Sequence, residues 1–316
     1  MTLTTPIHDA KDGISAITRM ELLQKHQNAL ARSIGALAPV EGANVTRLSG
    51  VTLYRVTEPQ PPSPTLYNAS IVLVGQGVKR AHLGTEIYEY SPSNFLVMTS
   101  PMPLLCEIVA SPKVPVLTMT VEIDPSLLSE LIIETGESAA TGPSPRGVYS
   151  AAVTPAVIDT GVRLLNCLAN DESSRVLGRQ TVRELIYHVL SGPQGHLLRA
   201  LSPAGGRTAQ LGRVIRHMNA NFDKPMSVED LAKMAHLSVP VFHQHFKAVT
   251  ATSPLQYIKA VRLTKARLLM MQDGLSAKEA CRQVGYESDS QFSREFRRYF
   301  GTSPVASVRG MATTAE

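Results

Sequence analysis

The chain has 316 residues, 43% hydrophobic and 18% charged, with 31 Lys plus Arg against 26 Asp plus Glu and a formal net charge of +5. That length and balance fit a globular chain of two domains. Cys106, Cys167 and Cys281 are too scattered for a disulfide framework, no apolar run reaches membrane-spanning length, and no secretory n-region and h-region opens the chain. A reducing cytoplasm is therefore expected, without a membrane partner.

A helix is expected from about Ile14 to Ser33. The texture then changes to strand-length runs rich in Val, Ile, Leu, Thr and Tyr: 45–56, 70–74, 78–83, 86–90, 95–98, 104–109 and 116–123. Gly-Gln-Gly, Gly84-Thr85, Ser-Pro-Ser-Asn and Ser-Pro-Lys separate them, and the Pro-rich stretch from Pro59 to Pro64 reads as an interrupting loop. Many short strands with regular turns predict a β-barrel or sandwich. Strand alternation puts Arg80 and His82 on one side of one strand, and Glu86, Tyr88 and Tyr90 on one side of the next. Charged side chains prefer water, which places Arg80 and Glu86 outside. His82, Tyr88 and Tyr90 are the candidates for contact with a small organic effector, and Cys106 is expected to be a small core residue rather than a reactive thiol.

Ser126 to Thr135 reads as a helix, and the small-residue stretch Gly136 to Gly147 as a mobile loop. Two apolar helices follow, from about Pro155 to Ala169 and from Ser174 to Leu190. They either pair two copies of the chain or pack on the barrel, and a homodimer is expected. Ser191 to Gly206 has a linker composition. The expected division is 1–190 for a sensor domain, 191–206 for a linker, 207–310 for a second domain and 311–316 for a tail.

The second domain contains one pattern twice, from Ser227 to Pro254 and from Ser276 to Pro304. Ser227 matches Ser276 and Ala232 matches Cys281 at one offset. Ser238 with Ser288, Phe242 with Phe292, Phe246 with Phe296 and Pro254 with Pro304 match at an offset one residue larger. The extra residue falls where a turn between two helices would sit. Each copy opens with a capping serine and an early carboxylate, then carries apolar residues at helical spacing. Two short helices with a tight turn and facing apolar sides make a helix-turn-helix. The outer face of the second helix is polar and basic: His243, Gln244 and Lys247 in one copy, Gln291, Arg294, Arg297 and Arg298 in the other. From Leu211 onward there are 15 Lys plus Arg against 9 Asp plus Glu, whereas the preceding 210 residues hold 16 against 17. The whole positive excess lies in the repeat, as expected where phosphates are the partner. Between the copies, Leu255, Ile258, Val261, Arg262, Lys265, Leu268 and Leu269 fit one face of a long amphipathic helix. About 17 residues make a rod of roughly 25 Å, suited to two recognition helices about one DNA turn apart.

These residues resemble the AraC/XylS family of bacterial transcription regulators. The points of likeness are Arg262-Leu263-Thr264-Lys265-Ala266-Arg267-Leu268-Leu269 in the connecting helix and the run from Val284-Gly285-Tyr286 through Phe292, Arg294 and Phe296 to Phe300-Gly301-Thr302-Ser303-Pro304. The likeness covers roughly 208–310 and departs from the family at Gln244, where an Arg is usual. It implies promoter DNA and RNA polymerase as partners, with His243, Gln244, Ser290, Gln291 and Arg294 reading bases. Arg294 suits guanine O6 and N7, and Gln244 suits adenine. Lys247, Arg297 and Arg298 are expected on phosphates, while Lys259 and Arg262 hold phosphates, cover apolar surface with their stems or simply face solvent.

Residues 66–125 resemble the amino-terminal sensor of one subgroup of that family, a cupin-like barrel, through Gly77-Val78-Lys79-Arg80, Tyr88-Glu89-Tyr90 and Glu122-Ile123-Asp124-Pro125. The expected fold is thus a cupin-like β-barrel followed by an all-α domain with two helix-turn-helix units. Metal-dependent cupins carry an H-x-H pair with a later Glu and His, and only His82 lies in this region, so neither a metal nor another cofactor is expected. His243 and His245 cannot share an ion either, being about 200° apart around a helix. No nucleophile, phosphate-loop or metal-spaced carboxylate motif supports an enzyme. The alternatives left open are a metal-independent cupin-like enzyme and a constitutive DNA-binding protein whose barrel only dimerises.

Overall fold

The computed structural model describes residues 8–136, 146–200 and 206–312. The loop expected at 136–147 falls mostly outside them, as does part of the expected linker. Helix α1 (His8–Leu37) precedes nine strands: β1 (Gly42–Val45), β2 (Val51–Val56), β3 (Gln60–Tyr67), β4 (Ser70–Gln76), β5 (Val78–Leu83), β6 (Glu86–Tyr90), β7 (Asn94–Met98), β8 (Met102–Val109) and β9 (Val116–Glu122). Then come α2 (Pro125–Thr135), β10 (Val148–Ala152), α3 (Pro155–Leu168), α4 (Asp171–Leu190) and the short α5 (Gly195–Arg199). The remaining helices are α6 (Gly206–Ala220), α7 (Val228–Met234), α8 (Val239–Thr250), α9 (Pro254–Gln272), α10 (Ala277–Gln283), α11 (Asp289–Phe300) and α12 (Pro304–Ala312).

The strands form two antiparallel sheets, ordered β1-β2-β9-β4-β7-β10 and β3-β8-β5-β6. The expected Pro-rich loop is instead the edge strand β3. Proline lacks the N–H that a central strand needs on both sides, so an edge tolerates it. The pairing of β3 with β8 shifts between Gln60 and Ser63, where two of the prolines sit. Strand β10 and helix α6 were not expected from the sequence.

One face of the six-stranded sheet carries α1, α3 and α4 over a core that includes Leu30, Ile34, Leu53, Leu73, Val97, Met119, Leu164 and Leu185. Helix α1 crosses β4 closely at Gly75, where an added Cβ would lie 2.8 Å from the Cα of Ala31. Within the stretch read as a linker, α5 buries Leu198 in this same core. The other face meets the four-stranded sheet through Val72, Val74, Leu96 and Met98 against Ala81, Leu83 and Leu104. That second core runs on without a break into Leu211, Val214, Ile215, Phe242, Phe246 and Tyr257 of the helical domain. The first helix-turn-helix unit is therefore docked on the sandwich. Each large side chain buried there is worth roughly 1.5–3 kcal/mol.

Candidate nucleic-acid interface

The two copies in the sequence fold as two copies in space. Ser227 Oγ accepts from the Asp230 backbone N–H at 3.0 Å and caps α7. Ser276 and Glu279 complete a reciprocal capping box at the start of α10. Each turn then passes through a left-handed residue, His236 with φ 53° in the first unit and Gly285 with φ 80° in the second. A hydrogen bond closes each turn in the same way, from Leu237 N to Ala232 O and from Tyr286 N to Cys281 O, both 3.0 Å. Gly285 is required for a further reason: a Cβ there would lie 2.1 Å from the Asp223 carbonyl oxygen. The extra residue of the second copy is Glu287, which follows this turn and precedes the cap Ser288.

Recognition helices α8 and α11 are anchored identically. Phe242 and Phe246 have ring centroids 5.5 Å apart, as do Phe292 and Phe296, and all four rings are buried. Four-residue spacing puts both rings on one side and turns the intervening polar residues outward. His243, Gln244 and Lys247 are exposed on α8, and Ser290, Gln291, Arg294, Arg297 and Arg298 are exposed on α11. The sequence-predicted DNA residues thus occupy the two outer faces as two sets. Two of them carry local bonds: the Ser290 hydroxyl lies 3.0 Å from that of Ser288, and Gln291 Nε2 donates to Glu295 at 3.2 Å. Arg298 also lines a cleft of about 510 Å³ between the two domains, with His82, Gly84, Leu105, Ala251 and Lys259.

Helix α9 differs from the expected single-faced rod. Its buried residues include Tyr257, Ile258, Ala260, Val261, Leu263, Thr264, Ala266 and Met270, whereas Leu255 and Leu268 of the expected stripe are exposed. It is buried on several sides because it packs against both units. Two of its four basic residues, Lys259 and Arg262, hydrogen-bond the rest of the helical domain. Lys259 Nζ donates to Glu295 of α11 at 2.8 Å. Arg262 donates to the carbonyls of Phe222 at 2.6 Å, Lys224 at 2.9 Å and Gly285 at 3.3 Å. It joins the α6–α7 turn to the turn of the second unit, where the sequence left phosphate contact, apolar cover or a solvent-facing side chain open. Burial alone would raise the Glu295 pKa, but hydrogen bonds from Lys259, Tyr286 and Gln291 outweigh it and hold the carboxyl below its usual range.

The effector candidates are not brought together. His82 faces out of the four-stranded sheet, 3.2 Å from Glu107, beside Arg80, which pairs with Glu89 and Glu107. Tyr88 and Tyr90 share the opposite face: Tyr88 hydrogen-bonds Glu86, while Tyr90 is fully buried between the sheets, its hydroxyl 3.4 Å from that of Tyr67. Cys106 is buried and accepts from the Tyr67 hydroxyl at 3.1 Å. Arg80 faces out as expected, but Glu86 does not. It lies on the inward-facing side at the end of β6 and accepts from Arg146 at 2.7 and 3.0 Å. Arg146 also donates to the Ala248 carbonyl at 2.8 Å and the Lys247 carbonyl at 3.4 Å, at the C-terminal end of α8. Gly147 N donates to Val249 O at 3.1 Å, and Tyr257 Oη to Pro101 O at 2.6 Å. The first recognition helix is thus clamped to the sandwich by residues for which the sequence carried no signal. Among the described residues no His, Cys, Asp and Glu group could hold a metal, and no helix is long and apolar enough to cross a membrane.

Residues 47–197 match a family described as AraC-type transcriptional regulator N-terminus, and residues 231–309 match a helix-turn-helix domain. The HTH-type transcriptional regulator GbdR of Pseudomonas aeruginosa is 29% identical over 143 residues, 42% of this chain and 39% of GbdR. The RCS-specific HTH-type transcriptional activator RclR of Escherichia coli is 36% identical over 95 residues, 30% of this chain and 34% of RclR. The chain thus spans about two fifths of the length of such relatives, which are transcriptional regulators and not enzymes. Among solved structures, ToxT from Vibrio cholerae shares the fold with a TM-score of 0.56 at 11% identity, over 82% of this chain and 97% of ToxT. A ToxT structure with an unsaturated fatty acid bound gives a TM-score of 0.54 at 10% identity, over 85% of this chain and 97% of ToxT. With a regulator amino-terminal domain and a doubled helix-turn-helix in that order, the chain belongs to the AraC/XylS family of transcriptional regulators.

Proposed function

We propose that the chain binds promoter DNA sequence-specifically through α8 and α11 and regulates transcription in response to a small organic effector held by the amino-terminal sandwich. The observation that carries the reading is the duplicated recognition helix: the same buried Phe pair presents two outward faces, each with polar and basic residues. Arg294 reads guanine and Gln244 adenine, with His243, Ser290 and Gln291 as further base contacts, because these side chains match the donor and acceptor patterns of the major groove. Lys247, Arg297 and Arg298 neutralise phosphates and set the register.

The clamp of Arg146 on Glu86 and on the end of α8 supports the coupling. An effector changes DNA binding only by favouring one of two arrangements, and a sandwich-to-helix contact distinguishes them. That a ToxT structure holds an unsaturated fatty acid supports a ligand-responsive sandwich. We assign 1–190 together with α5 to the sensor, the rest of 191–206 to the connection, 207–310 to DNA binding and 311–316 to a tail. The chain works in the cytoplasm, contacts RNA polymerase and pairs as a homodimer through α3 and α4, where Val176, Leu177 and Tyr187 are exposed. Mapping the genomic fragments retained by the purified protein tests the reading: a small set of promoter fragments is expected, and retention of fragments without sequence preference overturns it.

A further inference from the structure

The sandwich interior holds a charge that the DNA-binding reading does not use. Lys79 on β5 is 7% exposed and points inward with Ala81 and Leu83. Its Nζ lies over three tyrosine rings, 5.9 Å from the centroid of Tyr54, 5.8 Å from Tyr67 and 5.7 Å from Tyr90. Lysine is rarely buried without an anion, because an unpaired ammonium loses its hydration for little return. No carboxylate among the described residues pairs with it. Glu122, the acid that bears on Tyr54, accepts instead from Asn68 at 2.7 Å. Nor can a tyrosine serve as the counter-ion: burial pushes the hydroxyls of Tyr67 and Tyr90 well above their ordinary pKa, so both stay neutral.

A second observation lies across the gap. Thr118 is fully buried on β9, opposite Tyr54 in the β2–β9 register, and its Oγ1 has no hydrogen-bond partner. Its strand neighbours Leu117 and Met119 belong to the helix-side core, so Thr118 faces the four-stranded sheet, as Lys79 faces the six-stranded one. The cage adjoins two apolar clusters: Tyr90 belongs to the core shared with the helical domain, and Tyr67 packs against both that core and a separate cluster of Val56, Cys106, Ile108 and Val116.

We propose that Lys79 in its tyrosine cage anchors a small organic monocarboxylate between the two sheets. The carboxylate pairs with the ammonium and accepts from the Thr118 hydroxyl, and its apolar body lies toward Val56, Ile108 and Val116. One buried positive charge matches one negative charge; a phosphate dianion would leave a net charge in the interior. The proposal deepens the effector reading and rests on it for any consequence at the promoter.

The test is thermal unfolding of the full chain with benzoate and with hexanoate, each beside its amide. A carboxylate at about ten times its Kd is expected to raise Tm by roughly 2–4 °C while its amide does not. Lys79→Met should abolish the acid response, and in the absence of ligand it should be at least as stable as the parent, because it removes an uncompensated buried charge. Equal behaviour of acid and amide overturns the proposal. So does an undiminished acid response in K79M, or a K79M chain that fails to fold or melts several degrees lower, since Lys79 would then be held by its tyrosines alone. Promoter binding measured with the same compounds separates the two claims: an acid-specific shift without any change in DNA binding sinks the effector reading and leaves the carboxylate site standing.

Discussion

Replacing Arg262 by Ala should destabilise the helical domain without a selective loss of phosphate contact. The guanidinium donates to three carbonyls, at 2.6, 2.9 and 3.3 Å, on two segments about 60 residues apart in sequence. A hydrogen bond involving a charged donor contributes about 1.5–3 kcal/mol when buried. Arg262 is only partly buried and its third contact is long, which brings the total to about 2–4 kcal/mol. The conservative change Arg262→Lys would recover little, since an ammonium on a flexible stem cannot span three carbonyls as a planar fork does. The assay is urea unfolding of the full chain, paired with titration of specific and random DNA under conditions where both variants are folded. An unfolding free energy lowered by that amount with an unchanged salt dependence of DNA binding fits. An unchanged midpoint with a salt slope reduced by about one would show that Arg262 holds a phosphate instead.

Arg294→Ala should cost about 1–3 kcal/mol on the specific site and relax preference at one base pair; a uniform loss on specific and random DNA would limit Arg294 to phosphate. Arg146→Ala should change promoter affinity without touching DNA, by freeing the end of α8; a binding isotherm identical to the parent's would exclude a coupling role. The bonds from Arg146 and then Tyr88 hold the Glu86 carboxyl below its usual range. The clamp's stabilisation is therefore fully present above about pH 4.3 and is lost as pH falls through the depressed folded value. Glu86→Gln should flatten that part of an acid stability curve, and a parallel curve would count against the clamp. Ala251 sits in the left-handed region with φ 55°, where the second unit has Gly301. Relief of about 1–2 kcal/mol of strain, less the greater freedom glycine gains in the unfolded chain, predicts that Ala251→Gly stabilises by about 0.5–1 kcal/mol. A lowered Tm would refute it.

The helical domain was largely legible because it is written twice: the caps, the turns and the Phe pairs each appear in two places. The sandwich was legible in its alternating strands and less so at its edges. β3 was hidden by prolines that only an edge position tolerates, which depends on neighbours the local sequence does not name. Lys79 did leave a signal, since alternation groups it with Ala81 and Leu83 rather than with Arg80 and His82. A lysine on the apolar side of a strand departs from the alternation of its neighbours. Arg146 left none and Arg262 only its place in the connecting-helix motif, because the carbonyls and the Glu86 carboxylate that they bind lie far away in sequence. The stripe expected on α9 failed for a related reason: a helix between two packed units has no single inner face.

Selection of bound sequences from a random duplex library, followed by titration of the best sequence against a scrambled one at about 150 mM salt, tests the central claim most directly. The account predicts a bipartite site whose two halves lie one helical turn apart, bound at least about a thousandfold more tightly than the scramble. Equal affinity for both would contradict it.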